Sequence, residues 1–179
     1  GAVGRQVLRI ARDCFGLDVV ANSRRLDALP PGVRGVSVDE LVAASDVIVL
    51  CCPLTPETAG LMSRERIARM RPGAVLVNVS RGPVVDEDAL VEALREGRIG
   101  GAALDVFARQ PLPPDHALFG FDNVVLTPHM AGITEQSMMR MGTGAAAEAK
   151  LVLSGELPRN LRNPEAVALY RERFPQTAA

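Results

Sequence analysis

From the start of the chain to residue 127, short apolar runs alternate with stretches of helical periodicity, and this alternation narrows the possible folds more than any other feature. Residues 17–21, 46–51, 74–79, 101–106 and 123–127 are rich in β-branched residues and nearly continuous in apolar character. Runs of that kind suit strands covered on both faces, as in a parallel sheet. Between them, residues 3–15 place Val3, Val7, Ile10, Ala11 and Cys14 at 3-and-4 spacing, the stripe of an amphipathic helix. Ser37-Val38-Asp39-Glu40 has the form of a capping box ahead of residues 41–44. Ser63 can cap a helix through Met70, which Pro72-Gly73 stops. Asp86-Glu87-Asp88 puts acid in the first turn of a helix through Glu96, and Gly97 suits the position past its end. Strands and helices alternating through short connections predict an α/β fold with a doubly wound parallel sheet.

After residue 127 the rhythm changes. Residues 134–153 read as one long helix with Met138, Met141, Ala145, Ala149 and Val152 along one side. A turn-rich segment follows over residues 157–164, then a polar tail with an apolar pair, Tyr170 and Phe174. The expected division is 1–132 and 133–179.

Charge and cysteine usage remove several functions. Lys and Arg number 20 against 21 Asp and Glu, for a net charge of −1. No basic excess exists to hold a phosphate backbone, so nucleic acid is not the expected partner. The apolar runs are too short to cross a bilayer. Cys14, Cys51 and Cys52 form an odd set that reads as reduced thiols in a cytoplasmic protein. Two histidines and scattered cysteines give no metal-ligand spacing, and no metal is expected. The chain opens on Gly1-Ala2-Val3-Gly4 without an initiator Met or a leader, so it is expected to start inside a larger protein.

Gly1-Ala2-Val3-Gly4 leads at once into a helix, as the back half of a G-x-G-x-x-G turn does. Glycines there let the backbone approach a pyrophosphate resting on the helix N-terminus. The strand that follows ends where such a site reads the adenine ribose, about 20 residues on. An NAD site would carry Asp or Glu there; this chain has Asn22-Ser23-Arg24-Arg25. A hydroxyl and two guanidiniums suit a 2′-phosphate, so NADP is the preferred cofactor and NAD the other.

Four further motifs carry a resemblance. They are Cys52-Pro53-Leu54-Thr55-Pro56-Glu57-Thr58; Met70-Arg71-Pro72-Gly73 through Asn78-Val79-Ser80-Arg81-Gly82; Ala103-Leu104-Asp105-Val106-Phe107; and Thr127-Pro128-His129-Met130-Ala131-Gly132. In this order and spacing the chain resembles the D-isomer-specific 2-hydroxyacid dehydrogenases, in their NAD(P)-binding domain. The resemblance implies a Rossmann-type sheet whose first strand is missing. It also implies a C-terminal helix returning to an absent substrate domain, and a homodimer. It implies hydride transfer between NAD(P)H and a small 2-keto or 2-hydroxy acid of the glyoxylate or hydroxypyruvate type.

Under that resemblance Arg81 clamps the substrate carboxylate through its planar fork. His129 is the acid/base, with a side-chain type suited to proton transfer near neutral pH. Gln110 stands where the family usually has a Glu paired with the histidine. An amide can orient the ring by a hydrogen bond but cannot favour imidazolium by charge. Keto-acid reduction should then have a more acidic optimum than in Glu-bearing relatives. By the same resemblance Cys52, Pro53 and Thr58 lie near the riboses, and Val79 and Ser80 flank the nicotinamide. Asp105 accepts from the carboxamide, while Ala131 and Gly132 line the nicotinamide side. Cys52 is not expected to act as a nucleophile.

Three other readings stand beside this one. The Gln110–His129 pairing resembles formate dehydrogenases of the superfamily. A dinucleotide-sensing regulator could keep the nucleotide site without turnover. The chain alone could be an inactive nucleotide-binding domain.

Overall fold

In the computed structural model, which describes residues 1–25, 27 and 29–174, the chain divides into two compact units, Gly1–Ala131 and Gly132–Ala179. The first unit begins with helix α1 (Ala2–Phe15) and the short parallel pair β1 (Val20–Ala21) and β2 (Arg34–Gly35). Helix α2 (Val38–Ala44), strand β3 (Val47–Leu50), helix α3 (Arg64–Ala68) and strand β4 (Val75–Asn78) follow. Helix α4 (Glu87–Arg95), strand β5 (Gly101–Leu104) and strand β6 (Val124–Leu126) complete it. Four strands form one parallel sheet in the order β3-β4-β5-β6, and each neighbour follows in sequence.

Two helix starts follow the caps read from the sequence: Ser37 accepts from the Glu40 N–H and Ser63 from the Arg66 N–H. Asp86, expected within the first turn, instead caps α4 by accepting from the Ala89 N–H. The box at α2 is half made: the Glu40 carboxylate turns outward to Arg34 at 2.5 Å instead of closing on the Ser37 N–H. Gly97 ends the α4 turn at φ 64°, a backbone that costs glycine little. Helix α3 stops at Ala68, two residues short of the expected Met70.

The core lies on one side of the sheet. Ile48 and Leu50 of β3, Leu76 of β4, and Ala102 and Leu104 of β5 meet Val42 of α2, Ile67 of α3, and Leu90, Ala93 and Leu94 of α4. Alternate strand residues are less covered, and Val47 of β3 is 55% exposed. Both faces were expected to be covered; among the described residues one face is buried and the other partly so. Helix α1 has the apolar stripe expected of it and no buried residue. β2 escaped the sequence because it is only Arg34 and Gly35, with no apolar run to mark it.

The second unit is dominated by helix α5 (Glu135–Leu153), capped by Thr134 in a reciprocal box with Ser137. Helix α6 (Val167–Arg173) follows; its Tyr170 hydroxyl donates to the Val152 and Glu156 carbonyls at 3.0 Å each. Among the described residues no helix is long and apolar enough to cross a membrane.

Candidate active site

Parallel α/β sheets bind ligands beyond the carboxyl ends of their strands, because the strand-to-helix loops and helix N-termini gather there. Expected residues lie at those ends: Cys52 after β3, Val79 to Arg81 after β4, Asp105 after β5, and His129 and Ala131 after β6.

Behind Arg81 sits Asn78, the last residue of β4 and only 1% exposed. Its side-chain oxygen accepts from the Ser80 N–H at 3.0 Å and the Ser80 hydroxyl at 2.7 Å. Its amide nitrogen donates to the Arg81 carbonyl at 3.0 Å. One buried amide therefore shapes the turn that carries Arg81. The guanidinium donates to the Ser80 carbonyl at 2.6 Å, and among the described residues it is in no ion pair. An exposed, unpaired guanidinium at a strand end can take a carboxylate. Sequence reading did not single out Asn78 or Gly82 as site-building. The signal for Asn78 was there: a lone amide closes an otherwise apolar strand.

Asp105 is 5% exposed. One carboxylate oxygen accepts from the Thr127 hydroxyl at 2.5 Å and the Met130 N–H at 2.8 Å, and the other from the Ala131 N–H at 3.0 Å. Burial alone would raise this carboxyl above its ordinary range. The bonds from Thr127, Ala131 and Met130, with His129 nearby, outweigh it and hold the group below that range.

His129 is exposed, and at φ 56° it is the single non-glycine residue with positive φ among the described residues. That conformation costs an L-residue roughly 1–2 kcal/mol. Its Nδ1 lies 3.2 Å from the Gln110 side-chain oxygen. A carbonyl oxygen only accepts, so this contact places the proton on Nδ1 and leaves Nε2 bare in the neutral ring. His116 instead caps a turn by accepting from the Leu118 N–H at 3.3 Å, and its other nitrogen lies 3.5 Å from Glu87.

Ala2, Val3 and Gly4 form the first turn of α1, which has no side-chain cap. Its first N–H groups lack intrahelical partners and can face a pyrophosphate. A Cβ on Gly4 would sit 3.7 Å from Cys51, so Gly4 is in ordinary contact there. Arg24 and Arg25 are exposed and in no ion pair among the described residues. Arg24 adds a weak pull on Glu57, whose carboxyl is held low first by Thr55. The Ser23 hydroxyl closes its own turn on Arg25. These features fit an anionic dinucleotide.

Other expected contacts divide. Thr58 closes the loop before it, donating to the Pro53 carbonyl at 2.6 Å and accepting from the Thr55 N–H at 2.8 Å. Burial pushes the Cys51 and Cys52 thiols up, away from the thiolate a nucleophile needs. Gly132 opens the second unit and accepts from the Ser137 hydroxyl at 2.7 Å. No three His, Cys, Asp or Glu side chains gather as a metal site among the described residues.

Fold and site together define a class: a parallel α/β domain of the nucleotide-binding kind, with an arginine, a buried aspartate and a histidine at successive strand ends. Residues 1–131 match the family model of the D-isomer specific 2-hydroxyacid dehydrogenase, NAD binding domain, and the chain belongs to that family. It is 46% identical over 142 residues to a glyoxylate reductase of Thermofilum pendens, covering 79% of this chain and 42% of that one. It is 41% identical over 170 residues to glyoxylate/hydroxypyruvate reductase B of Pectobacterium carotovorum, covering 93% and 53%. Among solved structures, a D-isomer specific 2-hydroxyacid dehydrogenase from Xanthobacter autotrophicus Py2 in complex with NADPH and MES matches at TM-score 0.74 and 41% identity, covering 88% and 65%. A D-lactate dehydrogenase with NAD+ from Lactobacillus jensenii matches at TM-score 0.84 and 28% identity, covering 89% and 52%. The chain spans about half the length of the curated relatives it matches.

Proposed function

We propose that this chain carries the nucleotide site and the proton-transfer machinery of an oxidoreductase acting on a small D-2-hydroxy or 2-keto acid of the glyoxylate or hydroxypyruvate type. The observation that carries this reading is the placement of Arg81, Asp105 and His129 at the ends of β4, β5 and β6, with Gln110 on the imidazole. The bound nicotinamide cofactor supplies or accepts the hydride. Arg81 holds the substrate carboxylate and so sets the orientation of its C2. In oxidation, the bare Nε2 of neutral His129 takes the hydroxyl proton. In reduction, the doubly protonated ring gives that proton to the keto oxygen. The names of the two relatives above support the substrate class.

Residues 1–132 are the nucleotide domain in this reading, and residues 133–179 belong to the substrate domain. The three free cysteines suit a reducing cytoplasm. A homodimer belongs to the same reading, as the resemblance implies it; sedimentation equilibrium tests it.

The direct test is NADPH consumption by the full-length enzyme with glyoxylate and hydroxypyruvate, repeated for Arg81→Ala and His129→Asn. Turnover that both substitutions abolish is expected. NADPH binding without turnover on any 2-keto acid would overturn the reading in favour of a dinucleotide sensor. The 3.2 Å Gln110–His129 contact favours one second reading, formate oxidation, which NADP+ reduction with formate reports.

NADP is proposed over NAD on Ser23, Arg24 and Arg25. Charge-assisted bonds to a 2′-phosphate are worth about 1.5–3 kcal/mol each, so Arg24→Ala and Arg25→Ala should lower kcat/KM for NADPH by roughly tenfold or more and leave NADH unchanged. A wild-type preference for NADH, with neither change affecting NADPH use, overturns it.

A further inference from the structure

The carboxylate of Asp105 brackets His129 in the chain. It binds Thr127 two residues before and Met130 and Ala131 directly after, all three within 3.0 Å. Between these anchors lies the one left-handed non-glycine residue of the described chain, whose N–H donates back to the Thr127 carbonyl at 3.0 Å. Asp105 is itself fixed: its own N–H donates to the Asn78 carbonyl at 3.0 Å, and Thr127 is tied to Leu104 at 3.0 Å. The carboxylate therefore joins the end of β5 to both arms of the turn after β6. With the turn held, the imidazole can reach only a limited arc, and in that arc it meets Gln110 at 3.2 Å. Position 110 is an amide, and among the described residues no carboxylate bonds to the ring, so the placement of His129 depends on the backbone beneath it.

We propose that Asp105 is a positioning residue for His129: its main task is to clamp the left-handed turn that aims the imidazole. The clamp rests on the reading of His129 as the acid/base only for its catalytic consequence; the structural link stands apart from it. A buried carboxylate with three internal donors differs from one kept for a ligand, because its acceptor sites are already largely spent on the chain. An acceptor so engaged is worth most as a brace, and bracing is what second-layer groups do for reactive side chains.

The test uses His116 as an internal reference, since it lies outside the turn. Ring 15N and 1H resonances of the full-length enzyme, assigned with the His116→Gln and His129→Gln variants, report each imidazole separately. Asp105→Asn keeps the size of the side chain while removing its charge and one acceptor. Thr127→Val removes the 2.5 Å bond and leaves the charge. Both are expected to move the His129 ring resonances and leave those of His116 in place. In the full-length enzyme, Asp105→Asn should cut kcat on the order of 10²-fold, the scale of a misplaced reacting group, with the KM for NADPH unchanged. Unmoved His129 resonances in the two variants would overturn the clamp. So would a raised KM for NADPH at unchanged kcat, which marks a nucleotide ligand and not a brace. Should Asp105→Asn fail to fold, Thr127→Val decides alone, and an unmoved His129 ring there rejects the proposal. Shifted resonances in a full-length protein without turnover would instead sink the enzymatic reading and leave the clamp standing.

Discussion

A methyl group added to Gly82 would lie 1.8 Å from the Phe107 carbonyl oxygen and 1.9 Å from its carbon. Both are backbone atoms of the segment that leads to Gln110, so neither can swing aside. Gly82→Ala must separate the turn bearing Arg81 from the loop bearing Gln110, at a cost of about 1–3 kcal/mol or more by the usual penalty for overpacking. A fall in the urea midpoint checks it, and an unchanged midpoint would show that the two segments can part freely. Gln110 offers the second test at this scale. A carboxylate on Nδ1 favours the protonated ring, and reduction needs that ring. Gln110→Glu should therefore move the alkaline fall of the pH–rate profile for keto-acid reduction to higher pH; coincident profiles reject the argument. Arg81 and His129 were legible as residues because motifs carry them. Asn78 showed only as a lone amide closing an apolar strand, and Gly82 gave no signal, since its importance lies in what packs against it.

At the scale of elements, α4 is the best anchored helix in the core, with Ala89, Leu90, Val91, Ala93 and Leu94 buried and Asp86 capping its first turn. Asp86→Ala should cost about 1 kcal/mol through the lost cap. Leu90→Ala should cost about 2–5 kcal/mol through the cavity it leaves. Equal losses in denaturant unfolding would contradict this ranking. Helix α1 is the contrast: a clear apolar stripe, yet no buried residue. β1 pairs only with β2, and β3 pairs only with β4 among the described residues. Amides in α1 and β1 should therefore exchange with solvent well before those of α4 and β4. The periodicity of α1 was legible in sequence, while its lack of cover was not, because periodicity names the face and not what meets it.

Among the described residues the ion pairs join side chains that are at least partly exposed, such as Arg34–Glu40 and Arg71–Asp46. Exposed pairs contribute little and are screened by salt. The melting temperature should change only slightly between low salt and half-molar salt, taken as about 0.5 M against a Debye length of a few ångströms. Acid is a different matter. The Asp105 carboxyl is held below its ordinary range in the fold. Its stabilisation is therefore full above the ordinary aspartate range and is lost as pH falls through the lowered value. Unfolding curves for wild type and Asp105→Asn should converge as the solution is acidified through that window. The amino-acid sequence by itself determined the alternation, the helix-capping serines and the parallel α/β class, because these depend on local periodicity and short spacings. Only the tertiary structure decided that one face of the sheet is buried, that Asn78 shapes the arginine turn, and that Asp105 grips the histidine turn. The burial of the sheet face and the Asp105 grip depend on groups 20 or more residues apart, such as Asp105 and Thr127 at a separation of 22, and no local pattern records which distant donors a buried carboxylate will find; Asn78 bonds within three residues, but its burial is set by the strands beside it.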